Sequence, residues 1–285
     1  MLPNFLICGV QKAATTSLHA YLRQHPQVFM PETKELNFFS HHWDKGLDWY
    51  EQHFQPRSNQ IAVGEASPLY AWDENAPARI RQTLKDPRLI FLLRNPIDRA
   101  YSNYLFNVAR AAQRPEQSFS EAIRTPEGQW RYLDKGLYSQ QLSRFAEIFP
   151  RERMYVGFTE TLRAQPDQEL RQYFAFLDVD PLIQVDTRRN HNATRLPRNA
   201  TTSWIWGLWV EHRQWARRLV PGVLAANSRT ARRRIHSWLF HDKSPPPMNP
   251  LDRTYLRDWF ADDTVRLERF LDKSLPWQGD WPYRP

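Results

Sequence analysis

Residues 5 to 26 read FLICGVQKAATTSLHAYLRQHP. Phe5-Leu6-Ile7-Cys8 is an apolar run of strand length, and Leu18, Tyr21 and Leu22 recur at helical spacing ahead of Pro26. A strand, a loop of small residues and a helix N-terminus in succession make an anion cradle, because the first backbone N–H groups of the helix and its dipole both favour negative charge. The common triphosphate-binding pattern is G-x-x-x-x-G-K-[ST]. Counted from Gly9, its second glycine falls on Ala14 and its lysine on Thr15, whereas Lys12 stands inside the loop. The spacing predicts a phosphate-type site whose lysine serves a different atom from that of a nucleotide triphosphatase.

Beyond this unit, IAVGEASP (61–68), RLIFLLRNP (88–96) and RMYVGF (153–158) are short apolar or β-branched runs bounded by turn signals. Helical patterns near 74–84, 97–112, 136–148 and 161–177 alternate with them. Continuous apolar strands alternating with helices predict an α/β fold with a central parallel sheet and helices on both faces, with ligands at the carboxyl ends of the strands. A last helix is expected to pack through Tyr255, Leu256, Trp259 and Phe260 and on through Leu267, Phe270 and Leu271.

The length of 285 residues, with 41% hydrophobic and 14% aromatic residues, supports a sizeable core and excludes wholesale disorder. A single domain over 1–285 is expected. The lone Cys8 excludes an intramolecular disulfide and a cysteine-cluster zinc site. The first strand begins within a few residues of Met1 and no run of about 18 apolar residues occurs, so a cytoplasmic protein without a leader or membrane span is expected. Charge is uneven. Residues 187 to 241 hold eleven arginines, no lysine and one acid, Glu211, for +10 against a whole-chain +8, which leaves −2 elsewhere. The segment at about 187–249 also holds five of the twelve tryptophans and ends in Pro245-Pro246-Pro247. Three readings stand for it: a helical cap, a lid over a bound nucleotide, or membrane-surface contact through 200–240. Charge alone would suit nucleic acid, but no nucleic-acid-binding module accompanies it, so no such partner is expected.

The strongest strand pattern, Leu89 to Leu93, ends in Arg94 where a P-loop triphosphatase commonly carries a metal-binding aspartate. Asn95 can cap and Pro96 suits the first helical position, with Arg99 and Ser102 one turn apart on the helix that follows. Arg94 and Ser102 can grip a second phosphate by charge-assisted hydrogen bonds. No convincing carboxylate cluster for a metal is present. Two cationic anion sites fit a nucleotide with a 3′-phosphate and a 5′-diphosphate-like group.

GVQKAATTSL (9–18) together with RNPIDRAYSNY (94–104) resembles the paired nucleotide motifs of the sulfotransferases that use 3′-phosphoadenosine 5′-phosphosulfate. KELNFF (34–39) with KGLDWYEQHF (45–54), GEASPLY (64–70) and KGLYSQQLSRF (135–145) resemble the heparan sulfate N- and 3-O-sulfotransferase branch. The resemblance covers roughly residues 4 to 180 and implies a P-loop nucleotide-kinase-like three-layer fold. It implies that Lys12, Ala13, Ala14, Thr15 and Thr16 bind the 5′-phosphosulfate with Ser17 close by, that Arg94 and Ser102 bind the 3′-phosphate, and that Glu35 is the general base beside the catalytic Lys12. The product would be adenosine 3′,5′-bisphosphate, no metal would be required, and the acceptor would be a hydroxyl or amine of a carbohydrate, glycolipid or other small molecule. Oligomeric state is left open. Two departures stand out. Ala66 replaces a lysine common in that branch, and the Lys/Gly-rich C-terminal loop of that branch is absent, with RRNHNATRLPRN (188–199) as its candidate replacement.

Chemistry accounts for the displaced lysine. A sulfuryl group carries less charge than a phosphoryl group, so what needs stabilising is the negative charge growing on the bridging oxygen, which a lysine inside the loop can reach. A hydroxyl acceptor also needs a base, for which His41 and His42 are rivals of Glu35. Blander readings stand beside these: Arg94 pairing with Asp98, Glu35 pairing with Lys34 at a helix start, Glu65 making a structural hydrogen bond, and Tyr138 and Gln141 packing on a helix or touching the acceptor. Rival functions are a nucleoside or small-molecule kinase, and a non-catalytic nucleotide-binding adaptor.

Overall fold

The computed structural model describes residues 1–109, 117–188, 246–277 and 279–281. In chain order these form β1 (Phe5–Gly9), α1 (Thr15–Leu22), β2 (Val28–Phe29), α2 (Gly46–Glu51), β3 (Ala62–Ala66), α3 (Ala76–Thr83), β4 (Arg88–Leu93), α4 (Pro96–Ala109), α5 (Phe119–Ala122), α6 (Pro126–Gly128), α7 (Tyr138–Ala146), β5 (Met154–Phe158), α8 (Thr159–Ala164), α9 (Pro166–Phe176) and a last helix, Pro250–Leu271. They fall into two compact units. The first holds Met1–Arg99 with the described parts of 135–192 and 257–285, and the second holds the described parts of 100–134 and 193–256. Most of the Arg/Trp-rich stretch at 187–249 lies outside the described residues.

In the first unit the five strands form a parallel sheet in the order β2-β3-β1-β4-β5. Period-two alternation divides each strand between two apolar layers. Leu6, Cys8, Leu89, Phe91, Leu93, Met154 and Val156 face one layer, with Tyr50, Ile80, Leu142, Phe145 and Leu267 from helices. Phe5, Ile7, Ile90 and Leu92 face the other, with Leu18, Leu22, Leu162, Leu170 and Phe174. Strands buried on both sides explain the continuous apolar runs, and a fully covered side chain such as Phe91 contributes about 2–3 kcal/mol. Gly9 closes β1 because a Cβ there would lie 2.6 Å from the Cβ of Ala71, whose N–H is bonded to Cys8 O at 2.8 Å.

The second unit has its own aromatic cluster. Phe119 meets Tyr101 edge-on at 5.0 Å between ring centroids, Tyr104 lies 6.0 Å from Tyr132, and the Tyr104 hydroxyl donates to Gln117 O at 2.7 Å. Buried Asp252 accepts from Ser120 and, at 2.9 Å, from Arg124.

Three expectations needed adjustment. The helix expected over 161–177 is two helices, divided at Gln165 because Pro166 cannot continue the hydrogen-bond ladder. The short β2 was not foreseen. On the last helix Leu256, Phe260, Leu267 and Leu271 are buried, but Trp259 is 36% exposed, since the covered stripe follows steps of three and four that bypass it.

Candidate active site

The loop from Gly9 into α1 is shaped by backbone conformations uncommon for side chains with a Cβ. Lys12 has φ 72° and Ala14 has φ 59°, both left-handed. Ala14 is the residue before α1 and supplies no side-chain cap; its carbonyl accepts from Ser17 N–H at 2.9 Å and Leu18 N–H at 3.1 Å, so the N–H groups of Thr15 and Thr16 lie ahead of the first intrahelical bonds. An anion satisfies such groups. Ala13 and Thr15 are buried, while Lys12, Ala14, Thr16 and Ser17 are half-buried.

Arg94 follows β4 and donates from Nη1 to the carbonyl oxygen of Lys12 at 3.1 Å, which joins the second motif to the first. The turn around it is clamped. Tyr138 donates to Arg94 O at 2.8 Å, Asn95 N–H donates to Glu160 Oε1 at 2.9 Å, and Thr159 Oγ1 donates to Leu93 O at 2.8 Å. Asn95 Oδ1 accepts from Ile97 N–H at 3.0 Å, as expected of a capping residue ahead of Pro96. Burial and then the nearby charge of Arg163 push the Arg94 guanidinium below its usual pKa, against the weaker pull of Asp98 and Glu160. A cation in that state is stabilised by a bound anion. Ser102 lies further along α4, within the second unit, and is half-buried.

Glu35 enters from the loop between β2 and α2, with φ 63°. Its N–H donates to Ala66 O at 3.0 Å, and Asn37 N–H donates to Ser67 Oγ at 2.9 Å, so the loop is hung on the carboxyl end of β3. Phe38 and Phe39 anchor it from below: Phe38 stacks on Tyr50 at 4.3 Å, and Arg79 Nη1 donates to Phe39 O and Ser40 O at 3.0 Å. Lys34 Nζ lies 2.8 Å from Glu35 Oε1 and donates to Thr15 Oγ1 at 3.4 Å. The third motif therefore reaches the first through Lys34. His41 is exposed, and the ring of half-buried His42 meets Trp49 edge-on at 5.7 Å.

Glu65 is fully buried and accepts from Tyr70 at 2.6 Å, Ser67 at 2.7 Å and Tyr50 at 3.2 Å. Burial raises its carboxyl above the usual range, with those three hydroxyls pulling the other way. It is a structural acid, the reading favoured for it from sequence. Tyr138 and Gln141 are both buried on α7. No group of three or more His, Cys, Asp or Glu that could hold a metal ion occurs among the described residues. A cleft of about 570 Å³ runs along β5, lined by Tyr155, Phe158, Glu169, Gln172 and Lys273 among others, and none of the candidate residues lines it. Arg163, Glu160 and Thr159 were missed from sequence, and Lys34 was read only as an ion-pair partner of Glu35. Only Glu160 and Thr159 carried a signal, since they follow directly on the carboxyl end of a strand.

A parallel sheet whose first strand leads through a small-residue loop into an open helix N-terminus defines a P-loop-type α/β protein. The chain belongs to the sulfotransferase domain family, whose model matches residues 2–218. Human heparan sulfate glucosamine 3-O-sulfotransferase 3B1 is 34% identical over 188 residues, covering 64% of this chain and 47% of that protein. Human bifunctional heparan sulfate N-deacetylase/N-sulfotransferase 2 is 30% identical over 291 residues, covering 95% of this chain and 30% of that protein. The chain thus spans less than half the length of either relative. A sulfotransferase from Alicyclobacillus acidocaldarius superposes with a TM-score of 0.71 at 26% identity, over 96% of this chain and 98% of that one. No helix among the described residues is long and apolar enough to cross a membrane.

Proposed function

We propose that this chain transfers the sulfuryl group of 3′-phosphoadenosine 5′-phosphosulfate to a hydroxyl or amine of a carbohydrate or glycolipid, in the cytoplasm and without a metal. The observation that carries the reading is the bond from Arg94 to Lys12 O, which sets a second cation beside an uncapped loop and helix. The loop residues Lys12, Ala13, Ala14, Thr15 and Thr16 suit the 5′-phosphosulfate, with Ser17 beside them. Arg94 suits the 3′-phosphate, and Ser102 is assigned with it on its motif alone. The bound donor supplies the activated sulfur–oxygen bond. Glu35 takes the proton of the acceptor as the acceptor bonds to sulfur, and Lys12 stabilises the bridging oxygen that keeps the electron pair. The heparan sulfate relatives favour a glycan acceptor.

The test uses sulfur-labelled donor in excess chelator, offered with de-O-sulfated heparan oligosaccharides, desulfated glycolipids and simple phenols, and terminally labelled ATP in parallel. The account expects label to move from the sulfate donor to one acceptor class. Transfer from ATP, or binding of the bisphosphate with no transfer to anything, supports a kinase or an adaptor instead.

A further inference from the structure

The Glu35 backbone is held on several sides, but its carboxylate is not. The side chain is 53% exposed, and its one side-chain partner among the described residues is Lys34 Nζ at 2.8 Å. Adjacent side chains of an extended chain point to opposite sides. The left-handed conformation at Glu35 turns the chain so that Lys34 and Glu35 meet.

The two partners are held unequally. The Lys34 side chain is only 14% exposed, and its ammonium also donates to Thr15 Oγ1 at 3.4 Å. An exposed lysine–glutamate pair is normally weak because both long side chains must be ordered to form it. Here the stem of the lysine is already covered, so its packing fixes the ammonium and the ammonium in turn orients the carboxylate. Thr15 opens α1 at the mouth of the anion cradle. The carboxylate is thereby tied to the loop by way of a single half-buried cation.

We propose that Lys34 is a positioning residue: its ammonium ties the Glu35 carboxylate to the Thr15 hydroxyl, so that the base stands at a set distance from the loop that receives the donor. The inference rests on the functional reading above, in which Glu35 accepts the proton. It assigns Lys34 an effect on turnover through Glu35, distinct from donor binding through Lys12 and Arg94.

Lys34→Met keeps much of the covered stem and removes the charge. Turnover is read as transfer of label to a de-O-sulfated heparan oligosaccharide and, without acceptor, as labelled sulfate released to water. Lys34→Met should lower kcat by roughly 10- to 100-fold while the Kd of adenosine 3′,5′-bisphosphate, from calorimetry, stays within about threefold. Lys34→Arg, which keeps charge and donors, should recover most of the loss. The double variant Lys34→Met with Glu35→Gln should be within about threefold of Glu35→Gln alone, because a residue acting through another has nothing left to act on. Lys34→Gln serves as a second charge-removing variant should the methionine protein fail to fold. Losses that multiply in the double variant, or a bisphosphate affinity that falls in step with turnover, would overturn the proposal in favour of a direct donor contact. An active wild type with an equally active Lys34→Met overturns this inference alone. A wild type that neither transfers nor releases sulfate overturns the functional reading and this inference with it.

Discussion

Arg94 Nη1 donates to the carbonyl oxygen of Lys12 at 3.1 Å, across 82 positions of sequence. The bond holds the loop carbonyl with one of the five N–H groups of the guanidinium and leaves a half-buried cation beside the loop. Burial and Arg163 both disfavour that charge. A phosphate placed there would be stabilised by the guanidinium and would relieve its repulsion from Arg163. The same arginine can therefore shape the cradle for one anion and receive another.

Glu65 on β3 is a buried acid whose loss should be felt in stability. Glu65→Leu would strand the hydroxyls of Tyr50, Ser67 and Tyr70 and should cost about 3 kcal/mol or more, against about 1 kcal/mol for Glu65→Gln, as denaturant unfolding would show. Burial raises the Glu65 carboxyl above the usual carboxylate range, so the folded state holds this proton more tightly. Its contribution is full below the unfolded value and is lost as pH rises through the folded value. The stability difference between Glu65→Gln and wild type should therefore move in favour of the variant as pH rises.

His19 should show the opposite slope. Burial, then Lys34, lower its imidazole from 6.5 to about 4, while its bond to Pro31 O at 3.2 Å pulls the other way. The unfolded chain then binds the proton more readily. This stability is full above pH 6.5 and is lost as pH falls through about 4. At about 1.4 kcal/mol per pKa unit, the loss is on the order of 3 kcal/mol. Melting curves of wild type and His19→Gln should converge as pH falls through that window if the variant is the less stable at neutral pH. A constant gap would show that His19 does not titrate there.

Much of this arrangement was legible before the structure. Phe5 to Cys8 and Leu89 to Leu93 are buried on both faces, so their apolar runs were unbroken, and the residues after them had to lie at the ligand-binding edge. Lys12 and Arg94 were singled out because each follows such a run, and a hydrogen bond joins them. Other parts were hidden for physical reasons. The two-residue β2 is too short to show a period. Lys34 beside Glu35 looked like an ordinary neighbouring pair, since only a left-handed backbone brings adjacent side chains together, and Glu35 is not a residue type that announces one. The bond from Tyr138 to Arg94 O depends on the packing of α7, which no local pattern encodes.

Kinetics should separate the two residues assigned to the transfer step. Glu35→Gln keeps shape but cannot accept a proton, so turnover should fall on the order of 10²- to 10⁴-fold with donor affinity nearly unchanged. Lys12→Ala should lower turnover and also weaken donor binding, because its charge acts on the donor itself. Steady-state kinetics with calorimetric donor affinities would distinguish these signatures. An active, folded Glu35→Gln protein would move the base to His41 or His42.

The most direct test of the two-anion site is calorimetry with adenosine 3′,5′-bisphosphate and with AMP, in chelator, on wild type and Arg94→Ala. Removing a charged partner of the 3′-phosphate costs roughly 1.5–3 kcal/mol, about 10- to 100-fold in affinity. The wild type should therefore bind the bisphosphate at least about tenfold more tightly than AMP, and Arg94→Ala should reduce that preference to within about threefold. Equal affinity of the wild type for both nucleotides would contradict the account.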